Sequence, residues 1–125
     1  VTEMDYTEYR VIFHIDERSK WKLLLGNVEN LLQAADSYED CQSITVEVLA
    51  NSEAVLEYAP ARSAGSYSAQ MAGLHQRGVT FAACRNAMKG NGLTETDLED
   101  FVVAVPAGVM ELVKRQAQGY GYIKP

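Results

Sequence analysis

The chain has 125 residues, with 17 acidic and 11 basic side chains and a formal net charge of −6. That length fits one domain spanning residues 1–125, and an apolar fraction of 47% excludes global disorder. The acidic balance argues against a nucleic-acid surface and against adhesion to anionic membranes, and no apolar run approaches the roughly 18 residues that span a bilayer.

Residues 9–15, Tyr-Arg-Val-Ile-Phe-His-Ile, read as a first strand. A polar break follows, in which Ser19 is expected to cap a helix. Trp21, Leu24, Leu25, Val28, Leu31, Leu32 and Ala35 then recur at helical spacing and predict an amphipathic helix over residues 20–36. Residues 44–50 are short and β-branched, which predicts a second strand. Asn51-Ser52 opens a short helix through Tyr58, and Pro60 starts a loop that runs to Ser66. Tyr67, Met71 and Leu74 predict a helix over residues 67–76, ended by Gly78. Residues 79–83 form a third strand, followed by one or two helical turns from Cys84 that stop at Gly90-Asn-Gly92. Thr94 and Asp97 have the spacing of a capping box. Residues 101–105 form a fourth strand, Val109 to Ala117 a last helix closed by Gly119, and Tyr120 to Ile123 a short fifth strand.

Strands separated by helices predict parallel βα units, and the continuous apolar runs at 79–83 and 101–105 fit strands covered on both faces. The expected fold is therefore α/β: a three-layer α/β/α sandwich on a mainly parallel sheet of about five strands. In such sheets ligands bind outside the carboxyl ends of the strands. Those ends carry His14 and Asp16, Asn51, and Cys84-Arg85-Asn86.

Cys84 falls between a strand and a short helix, where the helix dipole and the Arg85 charge favour the thiolate. Two readings of it stand side by side: a reactive thiol, or a small buried apolar residue. His14 is either a hydrogen-bonded residue of the sheet end or a proton acceptor for a thiolate or ligand. Cys41 lies at the amino end of its strand, opposite to Cys84, so no disulfide between them is expected. His14 and His75 lie apart and no CxxC pair exists, so neither a metal site nor a cofactor is expected. No phosphate-binding glycine motif and no nucleophile elbow are present. Residues 1–6 lack the basic and apolar regions of a signal peptide. A free reactive cysteine without a disulfide framework favours the cytoplasm. The first residue is not Met, so processing, and with it a periplasmic location, stays open.

Phe81-Ala-Ala-Cys84-Arg-Asn86-Ala-Met-Lys-Gly90, a Val-rich strand, and Pro106-Ala-Gly-Val109-Met-Glu-Leu112 together resemble the DsrE/DsrF-like family. The opening strand into His14-Ile-Asp16, the segment Val46 to Asn51 and the ending Gln116-Ala-Gln-Gly-Tyr120 to Pro125 extend the likeness over roughly residues 9–125. The resemblance implies a DsrEFH-like fold, homotrimers or hexamers, and a link to sulfur metabolism. Sulfur-relay relatives such as DsrE and TusD carry sulfur as a persulfide on the matching cysteine. By that likeness Cys84 is the sulfur acceptor, with His14, Asp16, Asn51 and Asn86 as its pocket and sulfur-donor and sulfur-acceptor proteins as partners. The other readings are a small-ligand-binding oligomer without a covalent step and a structural subunit of a larger complex.

Overall fold

The computed structural model describes residues 7–125. Strands β1 (Thr7–Ile15), β2 (Cys41–Ala50), β3 (Thr80–Cys84), β4 (Val102–Val105) and β5 (Gly121–Ile123) form one all-parallel sheet in the order β4-β3-β2-β1-β5. Helices α1 (Trp21–Ser37), α2 (Ser68–Gln76), α3 (Arg85–Gly90) and α4 (Gly108–Ala117) connect them, with 3₁₀ turns at Arg18–Lys20, Ser52–Tyr58 and Glu95–Asp97. The expected α/β/α sandwich is the fold the chain adopts.

The topology decides which face each helix covers. The chain steps from β1 to β4 in one direction, then returns past β1 to β5. Parallel crossovers are right-handed, so reversing the direction moves the connecting helix to the opposite face. α1, α2, α3 and the Ser52–Tyr58 turn accordingly share one core with Phe13, Ile15, Val48 and Phe81. α4 lies on the other face with a small cluster: Ile12, Leu49, Cys84 and Leu112.

The first core is held by its aromatic side chains. Trp21 is fully buried, its indole N–H donates to the Ala54 carbonyl at 2.9 Å, and its ring meets Tyr58 edge-on at 5.2 Å. The Tyr58 hydroxyl donates to the Val48 carbonyl at 3.2 Å, so neither buried polar tip lacks a partner. Beside it the buried Glu57 carboxylate accepts from Arg18, from the Ser63 hydroxyl, and from the backbone N–H groups of Ala64 and Gly65. That single side chain ties the 60–66 loop to the sheet end.

Ser19 does not cap α1. It lies inside the Arg18–Lys20 turn, Lys20 takes the cap position, and no side-chain cap bond forms. The turn supplies the entry that a serine cap would have made, because its backbone already follows a helical path into Trp21. Gly78 and Gly119 follow α2 and α4 with φ of 98° and 89°, the left-handed geometry that ends a helix. The capping box forms as expected, with the Thr94 N–H donating to Asp97 Oδ2 at 2.8 Å. No helix among the described residues is long and apolar enough to cross a membrane.

Candidate functional site

The register places the site. His14 pairs with Leu49 and Leu49 with Ala82; one row further, Ile15, Ala50 and Ala83 align. Cys84 follows, paired with Val105 at the carboxyl end of the sheet. It occupies the N-cap position of α3 with extended backbone angles, φ −70° and ψ 120°. Alternation along β3 turns its side chain to the α4 face, opposite to Phe81 and Ala83.

There the thiol lies under the start of α4. Gly108 is buried, and a β-carbon on it would come 3.2 Å from Cys84 Cβ and 3.5 Å from Sγ. The missing side chain is thus what lets α4 approach the thiol. Cys84 itself is only 6% exposed. Cys41 lies at the amino end of β2, and both cysteines are free thiols.

His14 is on the same face but not beside Cys84. β2 lies between them, and the β3 residue in the row of His14 is Ala82, so Cys84 is two strand spacings across and two residues along, roughly 12 Å away between backbones. His14 bonds elsewhere. Its Nε2 lies 3.2 Å from Asn51 Oδ1 and its Nδ1 lies 2.6 Å from the Tyr122 hydroxyl. The amide oxygen only accepts, so Nε2 donates, and in the neutral ring Nδ1 accepts from Tyr122. Any direct service of His14 to the thiol therefore requires a bridging ligand along the strand ends.

The other predicted residues separate. Asp16 accepts from Lys124 Nζ at 3.2 Å. Arg85 is exposed and pairs with Glu95, which directs its charge along the surface. Asn86 is exposed on the first turn of α3. Sequence reasoning left Tyr122, Lys124 and Gly108 out of the site. Tyr122 and Lys124 reach β1 only because β5 pairs beside it, a contact across 108 positions that no local pattern announces. Among the described residues, no three His, Cys, Asp or Glu side chains gather as metal ligands would.

The arrangement offers one buried thiol under a helix start and, separated from it by β2, a hydrogen-bonded Tyr-His-Asn chain at the same end of the sheet. Comparison with known proteins bears on the fold and the family. The chain is 37% identical to a protein of unknown function from Methanobacterium thermoautotrophicum, MTH1491, whose solved structure superposes with a TM-score of 0.80 over 94% of this chain and 99% of that one. No match to a curated protein was found. The DsrE/DsrF-like family profile matches residues 28–125, which include Asn51, Cys84, Gly108 and the β5 tail. The chain belongs to the DsrE/DsrF-like family.

Proposed function

We propose that this chain carries sulfur as a persulfide on Cys84. The observation that carries the reading is the thiol at the carboxyl end of β3 under a side-chain-free position of α4. The step balances by exchange. The Cys84 thiolate attacks the outer sulfur of a donor R–S–SH; the new S–S bond forms as the donor's S–S bond breaks, and the donor leaves as R–S⁻. An acceptor thiolate then attacks the outer sulfur, and Cys84 returns to thiolate. Donor and acceptor are other thiol-bearing proteins or small thiols. Asn51, His14 and Tyr122 would hold the donor or acceptor end of such a molecule. The test compares wild type, Cys84→Ser and Cys41→Ser after treatment with a persulfide donor. A gain of about 32 Da, one sulfur atom, is expected in wild type and Cys41→Ser only. A gain that survives in Cys84→Ser rejects the assignment.

The burial of Cys84 favours one rival, a ligand-binding oligomer without a covalent step. That rival predicts that the native thiol resists thiol reagents at every pH at which the chain stays folded.

We also propose a homo-oligomer, a trimer or hexamer. Val109, Met110 and Val113 share one side of α4 and are 68%, 61% and 59% exposed, and Val103 on the same sheet face is 49% exposed. A second copy of the chain would bury these side chains. Light scattering should give a multiple of the chain mass, and Val109→Asp with Val113→Asp should reduce it to the monomer with unchanged circular dichroism. A monomeric wild type would refute this.

A further inference from the structure

Within one chain, little apolar surface holds α4. Its buried residues are Gly108, Leu112 and Glu111, and its share of the small core is Leu112 alone. The remaining buried contact is ionic. Glu47 on β2 and Glu111 on α4 are 3% and 8% exposed. The Arg115 Nε–H faces both, at 2.8 Å from Glu47 Oε1 and 3.0 Å from Glu111 Oε2. One N–H is thus shared by two carboxyl groups, and among the described residues no N–H or hydroxyl donor meets the buried Glu47 Oε2. An orphaned carboxylate oxygen is costly there; a carboxyl O–H that donates to Glu111 is not. The geometry calls for one proton in the cluster.

Among the described residues, the neighbouring groups supply no second cation. Arg10 of β1 binds Glu8 and the Gln118 carbonyl, and His14 binds Tyr122 and Asn51. Thr80, the β3 partner of Glu47, is uncharged. From α4 itself, Lys114 is exposed, and Arg115 lies over the Tyr120 ring at 5.3 Å and donates to Gln118 Oε1. Tyr58, from the other face, donates to Val48.

We propose that this shared proton latches α4 to the sheet, and that release of the latch lifts Gly108 from Cys84 and opens the thiol. The linkage has a definite sign. Burial, then the hydrogen bond and charge of Glu111, raise the Glu47 carboxyl from its ordinary 4.5 to about 7 when α4 is docked, against the pull of Arg115. Glu111 moves the other way, held down first by its bond to Glu47. With α4 lifted, Glu47 meets water and ionises near its ordinary value. Docking is therefore strongest near that ordinary value, weakens as pH rises toward about 7 and changes little above it, and weakens again in acid as Glu111 takes up a proton. The latch controls access to the site proposed above and rests on that reading for its purpose, not for its test.

The test uses the full Cys41→Ser chain and a dipyridyl disulfide as the thiol probe, at a protein concentration where light scattering gives one size across the pH range. The native labelling rate is divided by the rate of the urea-unfolded chain at the same pH, which removes the ordinary titration of the thiol. Between about pH 5 and about pH 7 this ratio should rise at least about tenfold and then level off. Glu47→Gln should keep it low and flat. A flat ratio in the parent, or the same rise in Glu47→Gln, overturns the latch. Hydrogen exchange of the wild type provides the arm that needs no variant: after correction for intrinsic rates, α4 amides should lose protection over this range while α1 amides do not. Unchanged protection in α4 overturns it equally. A gated thiol that takes up no sulfur refutes the carrier and keeps the latch; uptake without gating does the reverse.

Discussion

Gly108→Ala is expected to slow sulfur uptake at Cys84 by roughly tenfold and at most about a hundredfold, the upper figure being the scale for misplacing reacting groups by about 1 Å. The fold should survive. Gly108 does not have a positive φ, so alanine fits the backbone there and gains about 0.4–1 kcal/mol from the unfolded state. Against this stands a contact of 3.2 Å to Cys84 Cβ, which asks α4 to shift by a few tenths of an ångström. The two effects offset, leaving a net stability change within about 1 kcal/mol. The outer sulfur of a persulfide needs the space that the new methyl group takes. Urea unfolding and the rate of mass gain, measured on the same samples, separate the two effects. A variant that loads sulfur at the wild-type rate would show that the persulfide does not lie under α4.

Glu57→Ala should cost about 3–5 kcal/mol, as removal of one partner of a buried ion pair does. Glu57 is 3% exposed and Arg18 retains some contact with water, which favours the lower end of that range. The loss also frees the Ser63 hydroxyl and the N–H groups of Ala64 and Gly65, which the carboxylate holds at 2.8, 2.9 and 2.8 Å. Glu57→Gln keeps acceptor capacity without charge and should cost clearly less. The pH dependence follows from the same contacts. Burial opposes ionisation of Glu57, but the bonds from Ala64, Gly65, Arg18 and Ser63 outweigh it and hold the carboxyl below its ordinary 4.5. Its contribution is therefore full above 4.5 and lost as pH falls through the lower folded value. Acid should destabilise wild type more steeply than Glu57→Gln in that window. Parallel acid limbs in urea titrations would show that the carboxylate is not the tie.

The parts of the fold that local chemistry determines were legible. The apolar run at 79–83 was legible as a strand covered on both faces, and the Trp21-to-Leu32 stripe as an amphipathic helix; the same reading of 101–105 fails, because β4 is the edge strand and leaves Val103 49% exposed. Cys84 was legible as a strand end because the run Val79 to Ala83 stops there and a helical turn begins. Asn51 was legible for the same reason, and the structure joins it to His14. The position of β5 was not legible: nothing in Gly121-Tyr-Ile123 states that it pairs with β1 and not with β4. Tyr122 and Lys124 were lost to the site with it. The buried carboxyls were also hidden, because a glutamate in a strand ordinarily faces water. Two signals were available. Glu47 interrupts the continuous run Val46 to Ala50, and Glu111 and Arg115 stand at i and i+4 on a helix with little other apolar hold. Read together they point to a charged contact under α4, though the partner strand appears only in three dimensions.

Where the sulfur lands decides whether Cys84 is the carrier. Native wild-type chain is treated with a small persulfide donor, alkylated, digested and mapped by mass. One added sulfur, about 32 Da, is expected on the peptide that carries Cys84, removable by reductant, with Cys41 left unchanged. Sulfur found on Cys41 alone, or no sulfur on Cys84 in a chain shown to be folded, would contradict it.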